Sequence, residues 1–281
     1  MIDILLNTIA LDPNRWTPEK IAFFKLKSVL EPIARSGFDA LEVWQYHLVR
    51  ETEAAVKKIA RQADELGLRM PIIGAYPKLH LAGAAGQAEM DSMAKLLDYG
   101  NMLNTRVMKI WLGAIGSKAI AEDERERSYE SLARIIEMAA QHGITITGEN
   151  HDNTLLDSLE ACERVFELHF AANLKVCYQP YDFTSTEKAV ADYRALADRV
   201  VHIHFQGRRN GQFEWLEMAE VNYVDLVAAM ADCAFQGYWC IEFVKNCVVQ
   251  QPQDLDLALV LDNATRDRRY LESLRAESFG N

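Results

Sequence analysis

The sequence predicts a single-domain α/β protein folded as a (β/α)8 TIM barrel. Three observations carry that prediction: eight short apolar runs at nearly regular spacing, longer stretches between them with helical periodicity, and a glycine stop before several of the runs. Residues 1–281 contain no Pro/Gly/Ser-rich linker or low-complexity segment at which a second domain would begin. Barrels of this kind run to about 250 residues as one unit.

In chain order the predicted strands are Ile4–Ala10, Ala40–Trp44, Met70–Ala75, Val107–Leu112, Ile144–Glu149, Leu174–Gln179, Val200–Phe205 and Tyr238–Phe243. Helical patterns such as ETEAAVKKIARQADELG and ERSYESLARIIEMAAQHG lie between them, each closed by glycine. The same punctuation stands before the second strand (SGF), the third (LGL), the fifth (HGI) and the eighth (FQGY). An open dinucleotide-binding sheet is the structural rival, but no strand is followed by GxGxxG or GxxxxGK[ST], so its phosphate-binding turn is missing.

Composition narrows the partners. A formal net charge of −11 opposes a general nucleic-acid surface or an anionic membrane and leaves small molecules as the better fit. The five cysteines are an odd number without CxxC spacing, which points to reduced thiols and a cytoplasmic protein. No apolar run approaches the roughly 18 residues of a membrane helix, and the amino terminus lacks the basic start of an export signal.

A barrel builds its active site at the carboxyl ends of its strands. The fifth strand ends in Glu149, the sixth in Gln179, the seventh in His204 and the eighth in Glu242. Alternation along a strand lets all four side chains converge on the barrel axis. Two carboxylates, an imidazole and an amide oxygen make a mixed oxygen/nitrogen set suited to one divalent ion, manganese first, with Co, Mg or Zn as alternatives. Any one of these residues alone is more often a structural or solvated group than a ligand; together, buried carboxylates flanking a histidine call for a cation. His202 shares the parity of His204, which lies nearer the strand end and is preferred as the ligand.

GFDALEVW at the second unit, ITITGENHDNT at the fifth, VVHIHFQG at the seventh and WLEMAEVNYVDL through GYWCIEF at the eighth resemble, in order and spacing, the xylose-isomerase-like sugar isomerase/epimerase superfamily over nearly the whole chain. That resemblance implies a metal held by the positions of Glu149, Gln179, His204 and Glu242, with Gln179 standing where the pattern has a carboxylate. It further implies proton abstraction α to a metal-bound carbonyl through an enediolate. Glu149 and Glu242 are the expected catalytic pair, each with one oxygen on the metal and the other free to move a proton. The expected substrate is a small sugar, sugar-derived ketone or sugar acid, and the expected assembly a dimer or tetramer.

Further candidates for substrate contact are His151 two residues beyond Glu149, Asp182 in YQPYDF, Arg208 or Arg209 in FQGRRNGQ, Trp16 in the loop above the first strand, Trp111, and Glu42 at the second strand's end. Their plain alternatives are loop, turn and core positions. Trp44, Trp215 and His47 are weaker candidates of the same kind, and Lys109 reads either as an interior charge near the site or as a paired residue at the barrel base. The alternative functions are a metal-dependent dehydratase of a keto-polyol such as an inosose and a sugar-binding barrel without turnover. The endonuclease branch of the fold is disfavoured by the negative charge.

Overall fold

The computed structural model describes residues 2–280. In chain order the elements are β1 (Asp3–Asn7), α1 (Leu26–Arg35), β2 (Ala40–Trp44), α2 (Glu53–Glu65), β3 (Arg69–Ala75), α3 (Gly83–Met102), β4 (Val107–Ile110), α4 (Glu122–Gln141) and β5 (Thr145–Glu149). They continue as α5 (Leu159–Phe166), β6 (Lys175–Tyr178), α6 (Thr186–Leu196), β7 (Val200–Arg209), β8 (Gln212–Glu214), α7 (Tyr223–Asp232), β9 (Tyr238–Phe243) and α8 (Leu257–Phe279). Strands β1 to β7 and β9 pair in parallel, each with the next, and β9 pairs with β1, so eight strands close a barrel with the helices outside. The predicted (β/α)8 architecture is the observed one.

The sequence explains the helix boundaries locally. Thr52, Ser158 and Ser185 cap α2, α5 and α6 by accepting a hydrogen bond from the backbone N–H of Ala55, Ala161 and Lys188. Gly67 and Gly143 follow α2 and α4 with φ of 69° and 66°, the left-handed conformation that stops a helix at little cost. Gly237 before β9 serves another purpose. A Cβ there would lie 2.1 Å from the carbonyl oxygen of Val201, so the glycine permits a close backbone approach while Ala234 takes the left-handed turn.

Two strands differ from expectation. The first stops at Asn7, whose side chain accepts from Ile9 N–H and turns the chain into a short helical segment, Thr8–Leu11. The seventh overruns its predicted end by four residues and folds back, pairing antiparallel with β8 as a hairpin above the barrel mouth. Two apolar cores result. The larger lies between strands and helices; a small one of Leu5, Ala40, Ile72, Val107 and Cys240 plugs the lower barrel interior. Above that plug the interior becomes polar, with Glu42, Lys109, Thr147, His202 and His204 all fully buried.

Candidate active site

Strand alternation turns Glu149 of β5, His204 of β7 and Glu242 of β9 toward the axis at one height. His204 Nδ1 lies 3.3 Å from Glu149 Oε1 and 3.4 Å from Glu242 Oε1, and the three ligand atoms fall within 4.8 Å of one another. His204 Nδ1 and Gln179 Oε1 are buried without a hydrogen-bond partner. An orphaned buried polar atom costs its full desolvation penalty, so an imidazole nitrogen without a hydrogen bond between two carboxylates fits a divalent cation, and the unpartnered Gln179 oxygen, just past the strand between β5 and β7, is a further donor. Gln179 stands just beyond β6, and Asn150 fixes its backbone from both sides: Asn150 Oδ1 accepts from Gln179 N–H at 2.9 Å and Asn150 Nδ2 donates to its carbonyl at 2.7 Å.

Glu42 lies one layer below. Its Oε2 is 2.8 Å from His204 Nε2 and 3.1 Å from His202 Nε2. The Glu42 carboxylate accepts from His204 Nε2–H and leaves Nδ1 facing Glu149 and Glu242, the orientation in which a carboxylate behind an imidazole would present that nitrogen to a cation. Burial alone would raise the Glu42 carboxyl pKa, but the two imidazoles hold it well below its ordinary value. For His204 burial works downward, and Cys177 with Glu242, Glu42 and Glu149 carries the net shift well upward. Glu42, expected at the substrate, therefore acts on His204 instead. Glu42, His202, His204 and Cys240 form a second ligand-capable cluster, but it is sealed beneath the first.

Lys109 resolves its ambiguity by pairing with the site. Its Nζ is 2.6 Å from Glu149 Oε2 and donates to the Tyr76 hydroxyl at 3.1 Å, with both ionic side chains buried. Against burial, Lys109 and His204 pull the Glu149 carboxyl well below the ordinary range, and Glu149 with Tyr76 keeps the ammonium charged. The oxygen of Glu149 expected to be free for proton transfer is thus engaged. Gly74 makes room for this layer, since a Cβ would stand 2.7 Å from Glu42 Oε1 and 3.3 Å from Lys109 Cε.

A cavity of about 440 Å³ opens above the cluster, with Glu242 among the residues lining it. One wall is a run of rings, Tyr46, Tyr76, Trp111 and His151, with Trp111 and His151 centroids 4.2 Å apart. The facing wall is Trp16, 5.8 Å from Phe243 and stacked on Phe213 of β8 at 6.4 Å. Trp16, Trp111, His151 and Arg208 line this cavity, and Trp44 does so from a buried position. Asp182 does not; it lies in an adjacent hollow with Oδ1 3.4 Å from Arg208 Nε, so it bears on the cavity only through that guanidinium. Trp215 donates its indole N–H to Asn263, His47 is buried against the Phe24 carbonyl, and Arg209 faces solvent in the hairpin. The sequence reading missed Arg15, Lys20, Lys78 and Tyr76 at the cavity. Arg15 and Lys20 flank Trp16 in the loop already placed over the first strand, and Tyr76 and Lys78 directly follow the third strand, so position at a strand mouth was the available signal.

Fold and site together define a barrel with a polar, cation-ready centre at its carboxyl end, and the sequence profile described as xylose isomerase-like TIM barrel matches residues 30–266. The chain belongs to that family. A 3-dehydroshikimate dehydratase of Bacillus anthracis is 24% identical over 197 residues, covering 67% of this chain and 68% of the relative. Among solved structures, a probable 3-DHS dehydratase from Bacillus anthracis superposes with a TM-score of 0.69 at 20% identity, covering 94% of this chain and 99% of that one. D-psicose 3-epimerase from Clostridium cellulolyticum superposes with a TM-score of 0.74 at 17% identity, covering 97% and 99%. Among the described residues no helix is long and apolar enough to cross a membrane.

Proposed function

We propose that the protein is a divalent-metal-dependent isomerase of a small sugar or sugar-derived ketone, working by removal of a proton α to a carbonyl. The observation that carries this reading is His204 Nδ1, buried without a hydrogen bond between Glu149 and Glu242; the unpartnered Gln179 oxygen supports it. Glu149, Gln179, His204 and Glu242 would hold the ion, and manganese suits the donor set. When bound, such an ion supplies the positive charge that stabilises the oxyanion developing on the substrate carbonyl.

The side chains divide the remaining work. Glu242 lines the cavity and, among the described residues, has no ammonium partner, so it takes the proton and returns it to the neighbouring carbon on the same face. Glu149 stays ionised because Lys109 holds its second oxygen, and serves as a fixed charge. Tyr76 and His151 offer hydrogen bonds to substrate hydroxyls, while Trp16 and Trp111 cover the C–H faces of a sugar and keep water away.

Dehydration is the second reading, favoured by a specific observation. An epimerase of the two-base kind needs a carboxylate free on each face, and among the described residues Glu149 is held by Lys109 while Glu242 has no such partner. Loss of a β-hydroxyl requires proton removal from one face only, and the curated relative at 24% identity is a dehydratase. The test is bound metal per chain after manganese loading, in the wild type beside His204→Ala and Glu242→Gln, followed by a ketose and keto-polyol panel in heavy water. Near one ion per chain in the wild type, lost in His204→Ala, with deuterium entering a product of unchanged backbone mass, supports isomerisation. A product lighter by one water assigns dehydration, and a wild type that takes up no ion sinks both.

A further inference from the structure

The mouth of the cavity runs against the charge of the chain. In a protein of net charge −11, the cavity is lined by Arg15, Lys20, Lys78 and Arg208 and by a single carboxylate, Glu242. The cations come from three separate places: the loop after β1, the loop after β3 and the end of β7. Among the described residues, Arg15, Lys20 and Lys78 have no carboxylate partner at ion-pair distance, while Arg208 meets Asp182 through Nε.

Arg15 is the most constrained of them. Only 1% exposed, it packs its guanidinium over the Trp16 ring at 4.5 Å and 5.6 Å from the Phe243 ring centroid. Its Nη atoms donate to the carbonyls of Asp12 and Cys247, which bridges the loops after β1 and β9, and its Nε is buried without a partner. Lys20, with a left-handed backbone at φ 45°, donates Nζ to the Arg15 carbonyl at 3.0 Å. Burial lowers the proton affinity of both cations. Asp12 and Glu242 act on Arg15 only from beyond ion-pair distance, and carbonyl oxygens satisfy hydrogens without cancelling charge, so the rim keeps a local excess of positive charge that an anion would complement.

We propose that the substrate is anionic: a small polyhydroxylated ketone with a carboxylate or phosphate remote from its carbonyl, bound by Arg15, Lys20, Lys78 and Arg208. The proposal rests on the cavity being the substrate site of the preceding section. It adds an oxyanion subsite at the rim, separate from the Glu149–His204–Glu242 floor. Arg208, which meets Asp182 through Nε, keeps the terminal nitrogens of a fork that matches either oxyanion, while the lysines and the buried Arg15 add charge without directional demand.

The test is isothermal titration of the manganese-loaded protein with three probes: D-fructose, D-fructose 6-phosphate and 5-keto-D-gluconate. At least one anionic probe should bind about tenfold or more tightly than D-fructose, and the Lys20→Gln/Lys78→Gln double variant should lose about tenfold in that affinity while keeping its manganese content. Preference for the phosphate or for the carboxylate assigns the source of the oxyanion. If neither anion binds more tightly than D-fructose, or if the double variant binds the anions as well as the wild type does, the subsite proposal is overturned. Anion binding by a protein that takes up no manganese would keep this proposal and sink the metal-dependent reading; turnover of neutral ketoses with no anion preference would do the reverse.

Discussion

Glu42 never reaches the cavity, yet its carboxylate sets which nitrogen of His204 faces outward. Replacing it with Gln keeps the shape and removes the charge that holds the imidazole N–H in place. Glu42→Gln is expected to weaken manganese binding by about 10- to 100-fold with little loss of fold, read by metal titration beside circular dichroism. The convergence of Glu149, His204 and Glu242 was legible in the sequence because strand ends and side-chain parity are local properties. The pairing of Lys109 with Glu149 was not. It depends on neighbour register: Lys109 stands opposite Thr147, one layer below Glu149, and only the length of a lysine carries its ammonium up to the carboxylate. Glu42 was misplaced for a related reason, since sequence gives its strand and parity but not the height at which two imidazoles from β7 meet it.

Strand β3 shows how one element supports the site without contributing a ligand to it. Gly74 pairs with Lys109 on one side and Trp44 on the other, and the space above its Cα is filled by Glu42 and Lys109 side chains. Gly74→Ala should therefore cost about 1–3 kcal/mol of stability and displace Glu42 from His204. Urea denaturation together with manganese titration checks both effects, and an alanine variant matching the wild type in each would refute the packing argument. Strand cores were well marked by apolar runs, whereas strand ends were not: Asn7 ends β1 through a side-chain hydrogen bond, and β7 continues because β8 supplies a partner that apolar patterning does not reveal.

At the scale of the whole molecule, α8 packs across the seam where the barrel closes, and Asp267 on it accepts from Leu216 N–H beneath the β7–β8 hairpin. Burial pushes its carboxyl up to about 7, with the Leu216 N–H pulling the other way. A folded pKa above the unfolded value of about 3.9 means that its contribution is fully present below about pH 4 and is lost as pH rises through 7. Asp267→Asn should flatten that slope and leave the protein about 1–2 kcal/mol more stable than wild type at pH 8, measured by denaturation across pH 4–8. The barrel as a whole was legible because eight repeats of one rhythm outweigh an error in any single boundary. The cationic mouth was not, because Arg15, Lys78 and Arg208 are far apart in sequence and only closure of the barrel gathers them. That gathering has an optical side. Of the five tryptophans, Trp44 and Trp239 are buried, while Trp16 is 56% exposed and stands at the cavity between Phe213 and Phe243. A molecule settling into the mouth dries that indole, so the chain carries its own fluorescent reporter of occupancy, readable before any product has been identified.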